Sequence, residues 1–139
     1  MPVDRFLDTN ILLYGYDLDA DSKRPLALSL MDRGWEEPGS TAVSVQVLQE
    51  FYVNSVRQGL AVKNAGRIIE DLCAWPVVDN NVELLGKGLS LSARYKISFW
   101  DAMIVAAAQE CGARELVTED LNDGQEYDGV LVRNPFRDL

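Results

Sequence analysis

Arg5-Phe6-Leu7-Asp8-Thr9-Asn10-Ile11-Leu12-Leu13-Tyr14 decides the fold. An apolar run from Val3 to Leu7, interrupted by Asp4 and Arg5, ends in a carboxylate, and a helical segment begins at Ile11. The stretch reads as a strand, a tight turn and a helix. In an open α/β sheet, ligands bind beyond the carboxyl ends of the strands, which is where Asp8 falls. Aspartate is also a favoured helix N-cap, and one side chain can serve both ends.

The rest of the chain keeps alternating. Short β-like runs stand near 40–43, 76–78, 115–118 and 131–132. Helical patterns run over about 24–33, 45–57, 62–73 and 81–95, and a last one starts after Ser98 and stops before Gly112. Strands alternating with helices predict an α/β fold with a mostly parallel sheet. At 139 residues the chain fits one domain. No apolar run is long enough for a membrane span. Met1-Pro2-Val3-Asp4 lacks a basic region followed by an apolar core, so no signal peptide and a cytosolic protein are expected. Cys73 and Cys111 sit in apolar helical segments and are expected to be buried, reduced thiols.

Histidine is absent. That removes Ser-His and Cys-His nucleophile pairs, an imidazole base and any His-containing zinc site, and two cysteines cannot make a thiolate zinc site. Carboxylates are abundant, 22 Asp and Glu against 13 Lys and Arg, and they select hard cations such as Mg²⁺ or Mn²⁺. The net charge of -9 argues against nucleic-acid binding through a basic surface alone. It permits a phosphate held through a cation, and it suits a basic protein partner.

Four acids stand where the alternation brings chain segments together. Asp8 and Asp120 follow strands, while Glu50 and Asp101 lie near the starts of helices. Each has a plain structural reading as well. Glu50 reads as a solvated helix position, although apolar residues flank it on both sides. Ser98-x-x-Asp101 has the form of a capping box, with Asp101 reaching back to a backbone N–H. Asp120 and Asp123 can make an Asx turn, and a calcium-loop reading of Asp120, Asn122 and Gly124 fails on spacing. Together the four acids point to a cation. Two carboxylates about 4 Å apart repel by roughly 4 kcal/mol at intermediate dielectric, so a cluster requires either a cation or raised pKa values. A cluster with one or two divalent ions is suited to in-line displacement at phosphorus.

Phe6-Leu7-Asp8-Thr9-Asn10, Gln49-Glu50-Phe51, Ser98-Phe99-Trp100-Asp101-Ala102 and Val117-Thr118-Glu119-Asp120 resemble the successive motifs of the PIN domain, in order and nearly end to end. More narrowly, the chain resembles the VapC-type toxins of bacterial toxin–antitoxin pairs. The resemblance implies a three-layer α/β/α sandwich with a central parallel sheet of four or five strands, formed by residues 1–139 as a single PIN domain. It implies an endoribonuclease dependent on Mg²⁺ or Mn²⁺, with Asp8, Glu50, Asp101 and Asp120 as catalytic metal ligands. Thr9, Asn10, Ser98, Thr118 and Asp123 would orient those carboxylates, the choice between Asp120 and Asp123 as fourth acid staying open, and Glu119 would face solvent. It further implies an RNA substrate, a homodimer and a basic antitoxin laid on an apolar groove. Leu12, Leu13, Tyr14, Trp35, Phe51 and Tyr52 are candidates for that groove, with core packing the first reading for most. Arg33, Arg57, Arg67, Arg94 and Lys96 are candidate phosphate contacts. The alternatives are a catalytically idle PIN-like module that only binds a protein, and, last, a phosphorylated receiver domain, for which no lysine follows the last strands.

Overall fold

A computed structural model describes residues 3–139. The reading of the N-terminus as leaderless rests partly on Met1 and Pro2, which lie outside the described residues.

The chain runs β1 (Arg5–Leu7), α1 (Thr9–Tyr16), α2 (Lys23–Glu36), β2 (Thr41–Ser44), α3 (Val45–Arg57), α4 (Val62–Leu72), β3 (Val77–Val78), α5 (Val82–Tyr95), α6 (Phe99–Glu110), β4 (Glu115–Val117), β5 (Glu126–Tyr127) and β6 (Val130–Arg133). The strands form one sheet in the order β3-β2-β1-β4-β6-β5. Every pairing is parallel except β5 with β6. Five parallel strands thus carry the sheet, and β5 is an additional two-residue antiparallel edge strand that the sequence pattern does not announce. Its turn places Asp128 and Gly129 at positive φ, as a tight hairpin requires.

Strand order fixes where the helices lie. The chain steps outward from β1 to β2 to β3, then returns to the other side of β1 for β4 and β6. Right-handed crossovers in opposite directions put α1–α4 on one face and α5–α6 on the other. The packing agrees, with α1 against α2 and α3, and α5 against α6. The reversal between β1 and β4 makes a topological switch point, where a crevice opens beyond the strand ends.

The core explains the composition of the helices. α6 is buried from Ala102 to Ala108 without a break, because it is pressed between the sheet and α5. Small residues allow that approach, and Gly88 of α5 sits where an added Cβ would lie 2.2 Å from the Met103 sulfur. In α2 the inward face is Ala27, Met31 and Gly34, while Leu26 stays exposed, so residue size decides this face more than hydrophobicity. A Cβ on Gly34 would meet the Trp75 ring at 2.6 Å, and that ring already packs on Trp35 with centroids 5.0 Å apart. Gly34→Ala is therefore expected to lower stability by about 1–3 kcal/mol despite its better helix propensity, read as a lower midpoint in thermal denaturation.

The cysteines differ from expectation. Both are free, but Cys73 is exposed and Cys111 only half-buried. Cys73 follows the last turn of α4, just past its apolar face, and the apolar neighbours that suggested burial belong to that face. Among the described residues no helix is long and apolar enough to cross a membrane.

Candidate functional site

The site is assembled at the switch point. Leu7 pairs with Val117 in the parallel ladder, so the residues that follow them leave the sheet side by side. Asp8 donates its backbone N–H to the Val117 carbonyl (3.0 Å) and caps α1, its Oδ1 accepting from Thr9 N–H at 2.7 Å. Its Oδ2 accepts from the Thr118 hydroxyl at 2.8 Å, and the same hydroxyl oxygen accepts from Asp120 N–H at 3.0 Å. Thr118, fully buried, thereby fixes two acids at once. α3 starts directly after β2 with Ser44 as cap, and Glu50 follows on its second turn. Thr9 donates its hydroxyl to Glu50 Oε1 at 2.8 Å, and Asn10 donates its amide to Asp120 Oδ2 at 3.0 Å.

Asp101 arrives from the opposite face, in the first turn of α6. Ser98 Oγ accepts from Asp101 N–H at 3.1 Å, which is one half of a capping box. The other half is missing among the described residues. The Asp101 carboxylate accepts no hydrogen bond there and is left at the positive end of a helix dipole, a placement that stabilises negative charge. Ser98 therefore positions Asp101 through the backbone and does not touch its carboxylate.

Asp8, Glu50, Asp101 and Asp120 line one cavity of about 220 Å³, together with Thr9, Asn10, Leu13, Gln46, Asn54, Trp100 and Ile104. Asp8 is only 6% exposed. Burial drives its carboxyl up to about 7, the charges of Asp120 and Glu50 add to the rise, and the bonds from Thr118 and Thr9 oppose it. Asp120 is also raised, by partial burial of its carboxyl group and by the charges of Asp101 and Glu119, against the bond from Asn10. In both, burial is the leading cause and the neighbouring carboxylates add to it.

Two acids of the last loop lie elsewhere. Asp123 turns away from the cavity, accepting from Asn134 N–H at 2.8 Å and from Arg137 at 2.7 Å, and these bonds hold its carboxyl below the usual range. The expectation that it orients the other carboxylates fails on this geometry: five residues after Thr118, the loop has already folded back toward the C-terminal segment. Glu119 does not face solvent. It accepts from the Tyr14 hydroxyl and from Lys23 Nζ, the latter at 2.9 Å. The Tyr14 ring in turn packs edge-on against Phe136 with centroids 5.3 Å apart, so these residues brace the loop that carries Asp120.

The sequence reading passed over Gln46, Asn54 and Trp100. Gln46, Glu50 and Asn54 form a polar row at intervals of four along an otherwise apolar helix face, and that periodicity was available in the sequence. Trp100, 62% exposed at the mouth of the cavity, carried no such signal. Among the groove candidates, Leu12 and Phe51 are core. Trp35 packs on Trp75, and only Leu13 lines the cavity. Of the basic candidates, Arg33 and Arg94 are paired with Glu37 and Asp128. Arg57 donates to Asn54 at 3.3 Å, and Lys96 shares an adjoining cavity with Asp101 and Asp120.

The donor set fits a hard divalent cation. It is all oxygen, and the buried Asn10 Oδ1, on the cavity wall, has no hydrogen-bond partner. No three acids among the described residues stand close enough to form a ready-made coordination shell.

The family model described as the PIN domain matches residues 5–125. The chain belongs to the PIN-domain family. Solved structures agree with this PIN fold. A toxin–antitoxin complex from Klebsiella pneumoniae matches with a TM-score of 0.68 at 24% identity, over 95% of this chain and 98% of that one. VapC20 of Mycobacterium tuberculosis, described as a toxin that cleaves the sarcin-ricin loop, matches with a TM-score of 0.64 at 20% identity, over 81% and 87%. VapBC2 from Rickettsia felis, bound to a DNA fragment from its promoter, matches with a TM-score of 0.67 at 18% identity, over 95% and 98%. No curated protein matches by sequence.

Within this PIN domain Thr118 is the residue on which the acid geometry most depends. Thr118→Val keeps its shape but removes the donor to Asp8 and the acceptor for Asp120 N–H. It is expected to cost about 1–3 kcal/mol of stability and to weaken Mn²⁺ binding about 10–100-fold, measured by thermal denaturation and calorimetry.

Proposed function

We propose that this PIN domain is an endoribonuclease dependent on Mg²⁺ or Mn²⁺ and acts as the VapC-type toxin of a toxin–antitoxin pair. One observation carries the reading: Asp8, Glu50, Asp101 and Asp120 meet in a single cavity at the switch point, with Thr9, Asn10 and Thr118 holding three of them. The described functions of VapC20 and of the toxin–antitoxin complexes support the substrate class and the biological role.

The four acids would hold the cation, which when bound polarises a phosphoryl oxygen and acidifies water near neutral pH. The residues of the chain do the remaining work. Thr118 and Thr9 lock Asp8 and Glu50 in place, so the site is ordered before substrate arrives. Asn10 and the Thr118 hydroxyl hold Asp120 at the cavity wall, where its carboxylate can accept a hydrogen bond from the attacking water. Trp100 offers an exposed aromatic face on which an unpaired base can stack. Lys96 supplies a positive charge in the adjoining cavity for the substrate backbone.

Partners follow from the surface. A cleft of about 270 Å³ between α1 and α3 is lined by Leu13, Tyr16, Leu18 and Leu60, and Leu13 also lines the acid cavity. An antitoxin helix seated there would bring a basic side chain to the acids. Val82, Leu85 and Leu89 form an exposed apolar stripe along α5, which suits a homodimer contact. The test is cleavage of structured RNA by the purified chain with Mg²⁺ or Mn²⁺ and its loss on chelation. An inert chain under every divalent cation would favour a protein-binding module.

A further inference from the structure

A second built feature lies on the sheet face that carries α1–α4, apart from the acid cavity and sharing no residue with it. Arg5 of β1, Glu115 of β4 and Arg133 of β6 project from the same face, as the parallel register and the alternation of side chains require. α2 contributes Arg33 on one side and the C-terminal segment contributes Arg137 on the other, enclosing a cleft of about 520 Å³. Four arginines meet three carboxylates there, Glu115, Asp123 and Asp138, in a chain whose net charge is -9.

Three of these arginines are already matched. Arg133 binds Glu115 at 2.7 Å, Arg137 binds Asp123 at 2.7 Å, and Arg33 binds Glu37 at 3.1 Å. Arg5 is not. It is 5% exposed, it forms no ion pair among the described residues, and its buried NH1 has no hydrogen-bond partner. Asp4, Glu115 and Glu37 act on it only from beyond ion-pairing distance, so its charge is incompletely matched, and an anion in the cleft could complete the match without breaking sheet or core.

We propose that this cleft is an anion site that takes a phosphate group between Arg5 and Arg33. Phosphate fits better than carboxylate. The two guanidiniums come from different elements, and a tetrahedral dianion presents oxygens in several directions, whereas a planar carboxylate matches the fork of one arginine. Burial, first, and the like charge of Arg33 press the Arg5 guanidinium below its ordinary value against the opposing pull of Asp4, Glu115 and Glu37, and a bound dianion would add to that pull. The phosphate can belong to a free nucleotide or to the end of an oligonucleotide. The site is independent of the nuclease reading.

Inorganic phosphate is titrated calorimetrically into the full chain at fixed ionic strength with a chelator present, so that no cation recruits phosphate to the acids. Wild type, Arg5→Met, Arg33→Gln and Asp101→Asn are compared. Wild type and Asp101→Asn are expected to bind alike, and both arginine variants at least about tenfold more weakly. Arg33, half exposed, keeps the test readable should Arg5→Met fail to fold. Adenosine monophosphate and a 5′-phosphorylated tetranucleotide then identify the source, and tighter binding of either one supports the site. Absence of phosphate binding, equal binding by the arginine variants, loss of binding in Asp101→Asn, or acetate binding as tightly as phosphate overturns it.

Discussion

In chelator-treated buffer at pH 8, Asp8→Asn is expected to melt about 5–10 °C above the wild type. The folded, cation-free chain raises the Asp8 carboxyl to about 7 from an ordinary 3.8, chiefly by burial. Between those values the folded state binds more protons than the unfolded state, so stability falls as pH rises, and the loss is complete above pH 7. A shift of that size corresponds to a penalty of at most about 4 kcal/mol. Asparagine keeps the shape, never ionises and can still accept the Thr9 N–H, while its NH2 gives up the acceptor for the Thr118 hydroxyl, which offsets part of the gain. The gain should shrink as pH falls and vanish near pH 4, where the wild type is protonated in both states. Saturating Mn²⁺ should stabilise the wild type and leave the variant unmoved. A variant no more stable than wild type at pH 8 would contradict the account of Asp8 as a buried, uncompensated charge.

Asp101→Asn is expected to lower RNA cleavage by at least about a hundredfold while leaving the melting temperature within about 1 °C. The magnitude follows from metal sites, where residues that only support a ligand already cost 10–100-fold. The structural neutrality follows from the hydrogen bonds: Ser98 caps α6 through the Asp101 backbone N–H, which the substitution preserves, and the carboxylate itself has no partner among the described residues. Asp123→Asn is the informative contrast. Its carboxylate ties the last loop to Asn134 and Arg137, so it should lose stability and keep cleavage per folded molecule. Single-turnover rates and denaturation curves on the same preparations separate the two effects. Full activity in Asp101→Asn would remove that residue from the site.

Much of this was legible in the residues because alternation and capping are local. Val45–Arg57 reads as a helix from Ser44 and its apolar spacing, and α3 has those limits. Asp8 reads as cap and strand-end acid together, and it is both a cap and a wall of the cavity. The parts that escaped depend on three-dimensional neighbours. β5 has two residues and exists only because β6 returns beside it. Glu119 looks solvent-facing until α1 and α2 bring Tyr14 and Lys23 to it. Asp120 and Asp123 cannot be ranked by spacing, because the path of the loop between them is decided by Arg137 and Asn134. Arg5 in a β1 otherwise apolar looked like an interruption, and only the sheet register places it in a cleft with three other arginines.

Cation binding by the converging acids is read from crystals soaked in Mn²⁺ and measured for anomalous scattering. A peak in the cavity at coordination distance, about 2.1 Å, from oxygens of Asp8 and at least one of Glu50, Asp101 and Asp120 is the predicted result. A map with no peak there, or with its strongest peak on acids outside that cavity, would contradict it.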